Sequence, residues 1–343
     1  MRTPQSSLPD HDGLTRRLNA ILPSSGLGGA PFEIVRRGRT RLMSTFPVEI
    51  VVCRMGDGTL LRLFLKYQLD VGRPTNGHRR GVLHEAEVYR RVIGAREGSR
   101  PKFYGTYTDE QSGEVCMALE DVRRGTQIKE IRPRRRGPSQ EDAMILASRW
   151  IARFHADLEK PTAEGAFEFL PRYDEGYFTG WARLTEAFTS GMHATRPWLP
   201  ELCARAGPLL APLMKEPLTV IHGEFYTNNI LLRRRSIHVV DWEATALGAG
   251  AIDLAALTEG WRSRLVQECE AEYRATRWPN GAPEDFERTL EAARLYLHFR
   301  WLGERADGAA SAGRVEHLRA TAARLGLVAP TFPAAEDPGA SAL

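Results

Sequence analysis

Apolar and polar positions alternate at a period near two over the first third of the chain and at a period near three to four over the rest. Phe32 to Arg36, Val48 to Arg54 and Thr59 to Lys66 read as strands, the last two joined through Gly56-Asp57-Gly58, a turn suited to a hairpin. A helical segment follows near Val82 to Ile93. Lys102 to Tyr107 and Glu114 to Leu119 then flank a turn at Asp109 to Gly113. This order predicts an antiparallel meander, one helix and two further strands. Beyond a basic stretch, Arg123 to Arg136, the spacing Ser139-x-x-Asp142 is a capping-box signature. Leu146, Trp150, Phe154 and Leu158 place an apolar stripe along the long helix that it opens. Asn229 to Leu232 and Ser236 to Val240 read as a short hairpin, and the remainder is mainly helical. The chain thus divides into an N-terminal extension (residues 1–30), a β-rich lobe (31–121), an α-rich lobe (122–325) and a tail (326–343), with both ends expected to be frayed.

Composition narrows the function classes. The 343 residues are 42% hydrophobic, enough for a two-lobed globular enzyme. Lys and Arg number 47 against 43 acidic residues, and a formal charge of +4 gives no global case for nucleic acid or a membrane surface as partner. Cys53, Cys116, Cys203 and Cys269 are scattered, with neither a C-x-x-C pair nor zinc-type spacing, so they read as reduced and mostly buried. No signal peptide or transmembrane run is indicated, and a cytoplasmic location is expected. The arginine-rich stretch carries Pro133, Gly137 and Pro138 and lacks interleaved aromatics. A solvated connection between lobes fits it better than a nucleic-acid surface.

Candidate chemistry concentrates in Val220-Ile221-His222-Gly223-Glu224-Phe225-Tyr226-Thr227-Asn228-Asn229-Ile230 and, one hairpin later, Val239-Val240-Asp241-Trp242-Glu243. A strand runs into a carboxylate, an amide follows five positions on, and the hairpin returns a second carboxylate to the same edge. Phosphoryl transfer needs such a set: one carboxylate to orient the attacking hydroxyl or take its proton, and an amide and a carboxylate to hold magnesium against the phosphates.

The segment resembles the catalytic and metal-binding loops of the aminoglycoside phosphotransferase and choline kinase group, H-G-D-x-x-x-x-N followed by a hydrophobic strand and D-W or D-F. The resemblance spans roughly residues 32 to 260. It implies an α+β, protein-kinase-like two-lobed fold, Mg²⁺, ATP or GTP as phosphoryl donor, and a small-molecule hydroxyl as acceptor. By the same match Asn229 and Asp241 are the magnesium ligands, Glu224 takes the catalytic-base position and His222 braces the loop. Lys66, ending an apolar strand, would hold phosphates, and family spacing favours Glu85 over Glu87 as its partner on the following helix. Met117 to Val122 resembles the hinge that meets the nucleobase, through Glu120 and Val122. Asp253 matches a position that braces the α-rich lobe.

Two departures matter. Glu224 stands where the family usually has aspartate, and one more methylene moves the carboxylate by ~1.5 Å. Neither G-x-G-x-x-G nor a P-loop is present. Gly38, Ser44 and Thr45 fall between the first two strands instead, where hydroxyls or amides can reach phosphate. The expected activity is transfer of the γ-phosphate to an antibiotic or other small metabolite. Alternatives are a nucleotide-binding pseudokinase without transfer and a choline- or ethanolamine-type kinase. A protein kinase is disfavoured, because H-R-D and A-P-E are missing.

Overall fold

The computed structural model describes residues 8–23, 31–39, 45–69, 78–94, 100–122, 125–132, 137–233, 235–304 and 312–328. The N-terminal extension is not frayed throughout: helix α1, His11–Ile21, is capped by Asp10, whose carboxylate accepts from the Gly13 N–H at 2.7 Å. Leu14, Leu18 and Ile21 are fully buried on one helical face against the β-rich lobe, which stabilises the packing by roughly 1.5–3 kcal/mol per side chain. Arg17 adds an ion pair to Glu114 at 2.8 Å.

Strands β1 (Phe32–Arg39), β2 (Val48–Met55), β3 (Leu60–Gln68), β4 (Phe103–Thr108) and β5 (Val115–Glu120) form one antiparallel sheet in the order β1-β2-β3-β5-β4. Helix α2, Val82–Val88, continues as a π turn over Tyr89–Ile93 and lies against β3, β4 and β5. Leu63, Leu65 and Tyr67 of β3 pack towards α1, whereas Lys66 points to the opposite face, as strand alternation requires.

The lower lobe begins at β6 (Thr126–Gln127), which pairs with β8 (Ile230–Arg233), itself paired with β9 (Ser236–Val239). Part of the basic stretch is therefore structured, and Ile128 is buried in the core. Helix α3, Gln140–Ala163, opens with the predicted capping box: the Asp142 N–H donates to Ser139 Oγ at 3.0 Å and the Ser139 N–H to Asp142 at 2.9 Å. Its buried face is broader than the predicted stripe. Ala147, Ser148, Ile151, Ala152 and His155 are fully buried while Leu146 and Trp150 are half-buried, because α3 packs on two sides, against β7 (Leu218–Ile221) and against a later helix.

Helices α4 (Glu175–Phe188), α5 (Trp198–Ala204), α6 (Ala206–Leu210) and α7 (Pro212–Lys215) precede β7, which pairs with β10 (Ala246–Ala249). Helices α8 (Ala251–Thr258), α9 (Ser263–Arg277), α10 (Phe286–Gly303) and α11 (Ala312–Arg324) complete the lobe, α9 covering the second side of α3. The four cysteines are free and buried. No described helix is long and apolar enough to cross a membrane.

Candidate active site

The loop from His222 to Asn229 leaves β7 through Gly223, whose φ is +81°. A Cβ there would stand 2.4 Å from the Ala244 carbonyl oxygen, so backbone conformation and close approach both require glycine. Asp253, fully buried on α8, accepts from the His222 N–H at 2.7 Å and the Gly223 N–H at 2.9 Å, with His155 Nε2 at 3.1 Å. Burial pushes His155 below its ordinary pKa despite Asp253 beside it, so the imidazole is neutral: Nε2–H donates to Asp253 and Nδ1 accepts from the Tyr273 hydroxyl at 2.8 Å. His222 spans the loop, Nε2 meeting the Val240 carbonyl at 3.0 Å and Nδ1 accepting from the Glu224 N–H at 3.2 Å. Trp242 packs on that ring at 4.6 Å between centroids.

The β8–β9 hairpin returns Asp241 to the loop. The Val240 N–H donates to the Asn229 carbonyl at 3.0 Å, so Asn229 and Asp241 flank the same end of the hairpin. The Asn229 side-chain amide donates to the Glu224 carbonyl at 3.0 Å. Asp241 is the non-glycine residue with positive φ (68°) among those described, a left-handed conformation that Asp adopts at low cost and that turns its carboxylate back towards β3.

There it meets Lys66. The ammonium lies 2.7 Å from Glu85 Oε2, 2.7 Å from Asp241 Oδ1 and 2.9 Å from Glu243 Oε2. Burial alone would lower the Lys66 pKa, but Asp241, Glu85 and Glu243 outweigh it and hold the amine well above its usual value. Burial raises Glu85, with Lys66 opposing and Asp241 adding to the rise. Burial likewise pushes Glu243 up to about 7, against the pull of Lys66 and with Asp241 and Glu85 adding repulsion. Oxygen atoms of Glu85, Asp241 and Glu243 all lie within 4.8 Å of one another. Three carboxylates share the Lys66 ammonium and, at Glu243, one edge of Arg79, and an all-oxygen donor set with Asp241 34% exposed suits a hard divalent cation such as Mg²⁺.

Glu224 belongs to a second cluster. His78 Nε2 lies 2.9 Å from Oε1, Arg79 Nη2 lies 2.7 Å from the same oxygen, and Arg79 Nε lies 3.2 Å from Oε2. Burial would raise this carboxyl, but the His78 hydrogen bond and the positive surroundings, with Arg300 and Arg79 among them, hold it well below the usual range. His78 is itself pushed down by burial and by Arg300, with its bond to Glu224 pulling the other way. Arg300 is fully buried and donates to the Gly223 carbonyl at 3.0 Å and to the Tyr226 hydroxyl.

A family model described as the phosphotransferase enzyme family matches residues 73–296. The chain belongs to this family. Among solved structures it is similar to the GDP complex of wild-type aminoglycoside 2'-phosphotransferase-IIIa, at TM-score 0.60 and 11% identity over 92% of this chain and 100% of that one. Similar too are choline kinase LicA from Streptococcus pneumoniae (TM-score 0.58, 11% identity, 92% and 98% covered) and macrolide 2'-phosphotransferase MphH from Brachybacterium faecium (TM-score 0.53, 18% identity, 92% and 100% covered). At such identities the likeness establishes the fold, α+β and protein-kinase-like, in agreement with the β-rich and α-rich lobes described above. No curated protein sequence matches the chain.

Within the phosphotransferase family assignment, Lys66, Glu85 and Asp241 are brought into contact, and Asn229 and Glu224 share a backbone-tied loop beside them. Glu87 instead faces solvent and pairs with Arg90. Glu120 and Val122 sit where β5 ends. The Glu120 N–H donates to the Lys102 carbonyl at 2.8 Å and its carboxylate meets Arg233 at 3.3 Å, while the Val122 carbonyl accepts from the Gly125 N–H at 2.9 Å. Ser44 lies outside the described residues; its neighbour Thr45 donates to Glu243 Oε1 at 3.0 Å. Sequence reasoning missed Glu243, His78, Arg79 and Arg300. Glu243 had a signal, since it follows Asp241 by two positions; the other three had none beyond their charge.

Proposed function

We propose that this phosphotransferase moves the γ-phosphoryl of ATP or GTP, with Mg²⁺, onto a hydroxyl of a small molecule, an antibiotic or other metabolite. The observation that carries the reading is the contact of Lys66 with Glu85 and Asp241 beside the Glu224–Asn229 loop. Lys66 would bind the donor phosphates, Glu85 would orient Lys66, and Glu120 and Val122 would flank the nucleobase. Asp241 and Asn229, with Glu243 next to them, would hold Mg²⁺, which supplies charge neutralisation between phosphates. Glu224 would orient the acceptor hydroxyl. As the acceptor oxygen bonds to the γ-phosphorus, the bond to the bridging oxygen breaks, the nucleoside diphosphate leaves with the electron pair, and the hydroxyl proton passes to the Glu224 carboxylate. A carboxyl held so far towards its ionised form is a weak base, which fits an orienting role in a loose transition state better than early proton removal.

The test is Mg²⁺-dependent transfer of labelled γ-phosphate from ATP and, separately, GTP to a panel of hydroxylated antibiotics, amino alcohols and sugars. Wild type is expected to yield a phosphorylated product, and Asp241→Ala, Asn229→Ala and Glu224→Ala to lose it by about a hundredfold or more under conditions where circular dichroism shows each variant folded. Full activity in Asp241→Ala removes that residue from the metal site. Nucleotide binding without any product across the panel supports the pseudokinase reading instead.

A further inference from the structure

Arg79 lies on no segment that the sequence singled out, between the lysine strand β3 and helix α2. Its guanidinium touches three carboxylates carried by three separate segments: Glu224 of the loop after β7, Glu243 of the turn after β9 at 3.1 Å, and Glu304 just beyond α10 at 2.9 Å. The neighbouring Arg80 N–H donates to the Glu243 carbonyl at 3.0 Å, which fixes where the side chain starts. The contacts run in a row. Lys66 bonds Glu243 through Oε2, Arg79 Nε meets Glu243 Oε1, and the same Nε together with Nη2 holds Glu224 side-on.

Lys66 and Glu224 are the two ends between which a phosphoryl group would have to travel under the proposed reading, and Arg79 stands at the middle of that path. A phosphoryl in transfer spreads negative charge over three equatorial oxygens, and a planar guanidinium matches two of them at once. Two further observations favour this role over a plain ion pair. Strands β1 and β2 are joined without the glycine motif that would cover the phosphates with backbone N–H groups, which leaves a place there for a charged side-chain donor. Lys66 and Arg79 together face five carboxylates, Glu85, Asp241, Glu243, Glu224 and Glu304, so a divalent cation arriving on Asp241 and its neighbours frees positive charge to turn to the phosphate.

We infer that Arg79 is a catalytic residue that contacts the transferred phosphoryl group, exchanging its resting contacts with Glu224 and Glu243 for the γ-phosphate. The inference rests on the nucleotide-dependent phosphotransferase reading and is tested separately from it. Calorimetric titration measures, with Mg²⁺ present, the affinity of wild type, Arg79→Gln and Arg79→Lys for the β,γ-imido analogues of ATP and GTP and for ADP and GDP. Arg79→Gln is expected to weaken the triphosphate analogue by about tenfold or more and to leave the diphosphate within about twofold, because only the triphosphate carries the group that Arg79 touches. Arg79→Lys keeps the charge without the fork and should fall between the two. Should Arg79→Gln fail to fold, the same ratio read on Arg79→Lys decides. Equal weakening of both nucleotides, no change in either, or tighter triphosphate binding overturns the inference, the last identifying Arg79 as a plug over the phosphate path. If wild type binds no nucleotide, the phosphotransferase reading fails and the inference falls with it; binding of both by wild type separates the two failures.

Discussion

Replacing Lys66 by Met removes the ammonium that Glu85, Asp241 and Glu243 share at 2.7, 2.7 and 2.9 Å. Met retains the apolar stem and leaves little cavity, so the effect is electrostatic. Removing one partner of a buried ion pair costs about 3–5 kcal/mol. Here Glu85 and Glu243 are both 1% exposed, so water cannot replace the ammonium. The carboxylates that lose the ammonium respond by binding protons, although Glu243 keeps Arg79 at 3.1 Å. Glu243, which burial and its acidic neighbours already push up to about 7, rises further, and Glu85 moves in the same direction. A folded pKa raised above the unfolded value near 4.5 contributes stability that is present at low pH and lost as pH rises through the folded value. Each proton so held changes stability by ~1.4 kcal/mol per pH unit within that window. The deficit of Lys66→Met against wild type should therefore be ~4 kcal/mol near pH ~8 and shrink to ~1–2 kcal/mol near pH ~6. Urea unfolding of both proteins at the two pH values measures it. A deficit that does not change with pH, or that stays under ~1 kcal/mol near pH ~8, would refute the buried-charge account.

Other outcomes follow from single contacts. Asp253→Asn keeps the shape but offers one acceptor oxygen where two backbone N–H groups and His155 now bind; it should lower stability by ~2–4 kcal/mol in denaturant unfolding, and a change within ~0.5 kcal/mol would show that Asp253 does not brace the loop. Gly223→Ala places a methyl against the Ala244 carbonyl at positive φ, so a loss of ~2–4 kcal/mol is expected, and an unchanged melting temperature would contradict the geometry. His298 is pushed down from 6.5 to about 3, first by burial and then by nearby His317, Arg324 and Arg294. A depressed folded pKa gives stability that is present above 6.5 and lost as pH falls towards about 3. Relative to His298→Gln, wild type should lose ~2 kcal/mol between pH ~7 and pH ~5, read from paired unfolding curves; parallel curves would place the imidazole in water.

Some of this protein was fixed by local sequence. Alternation defined the five strands of the upper sheet to within a few residues, and Ser139 with Asp142 marked the start of α3, because pleat and cap geometry depend on neighbours a few positions apart. The His222 to Asn229 loop and Asp241 were legible for the same reason: a strand, a tight loop and a hairpin follow one another closely in the chain and end at one edge. Tertiary structure decided the remainder. Helix α1 falls in a polar segment whose three buried apolar side chains acquire meaning only against the sheet. Glu85 rather than Glu87 faces Lys66 because α2 docks with one side inward, and Glu243 reaches Lys66 across 177 residues. His78 and Arg79 close on Glu224 from more than 140 positions away, and Arg300 supports the same loop from α10. Periodicity records which side of an element is buried; it carries no record of what lies opposite, and the partner that sets the charge state of Glu224 is chosen by how the two lobes meet.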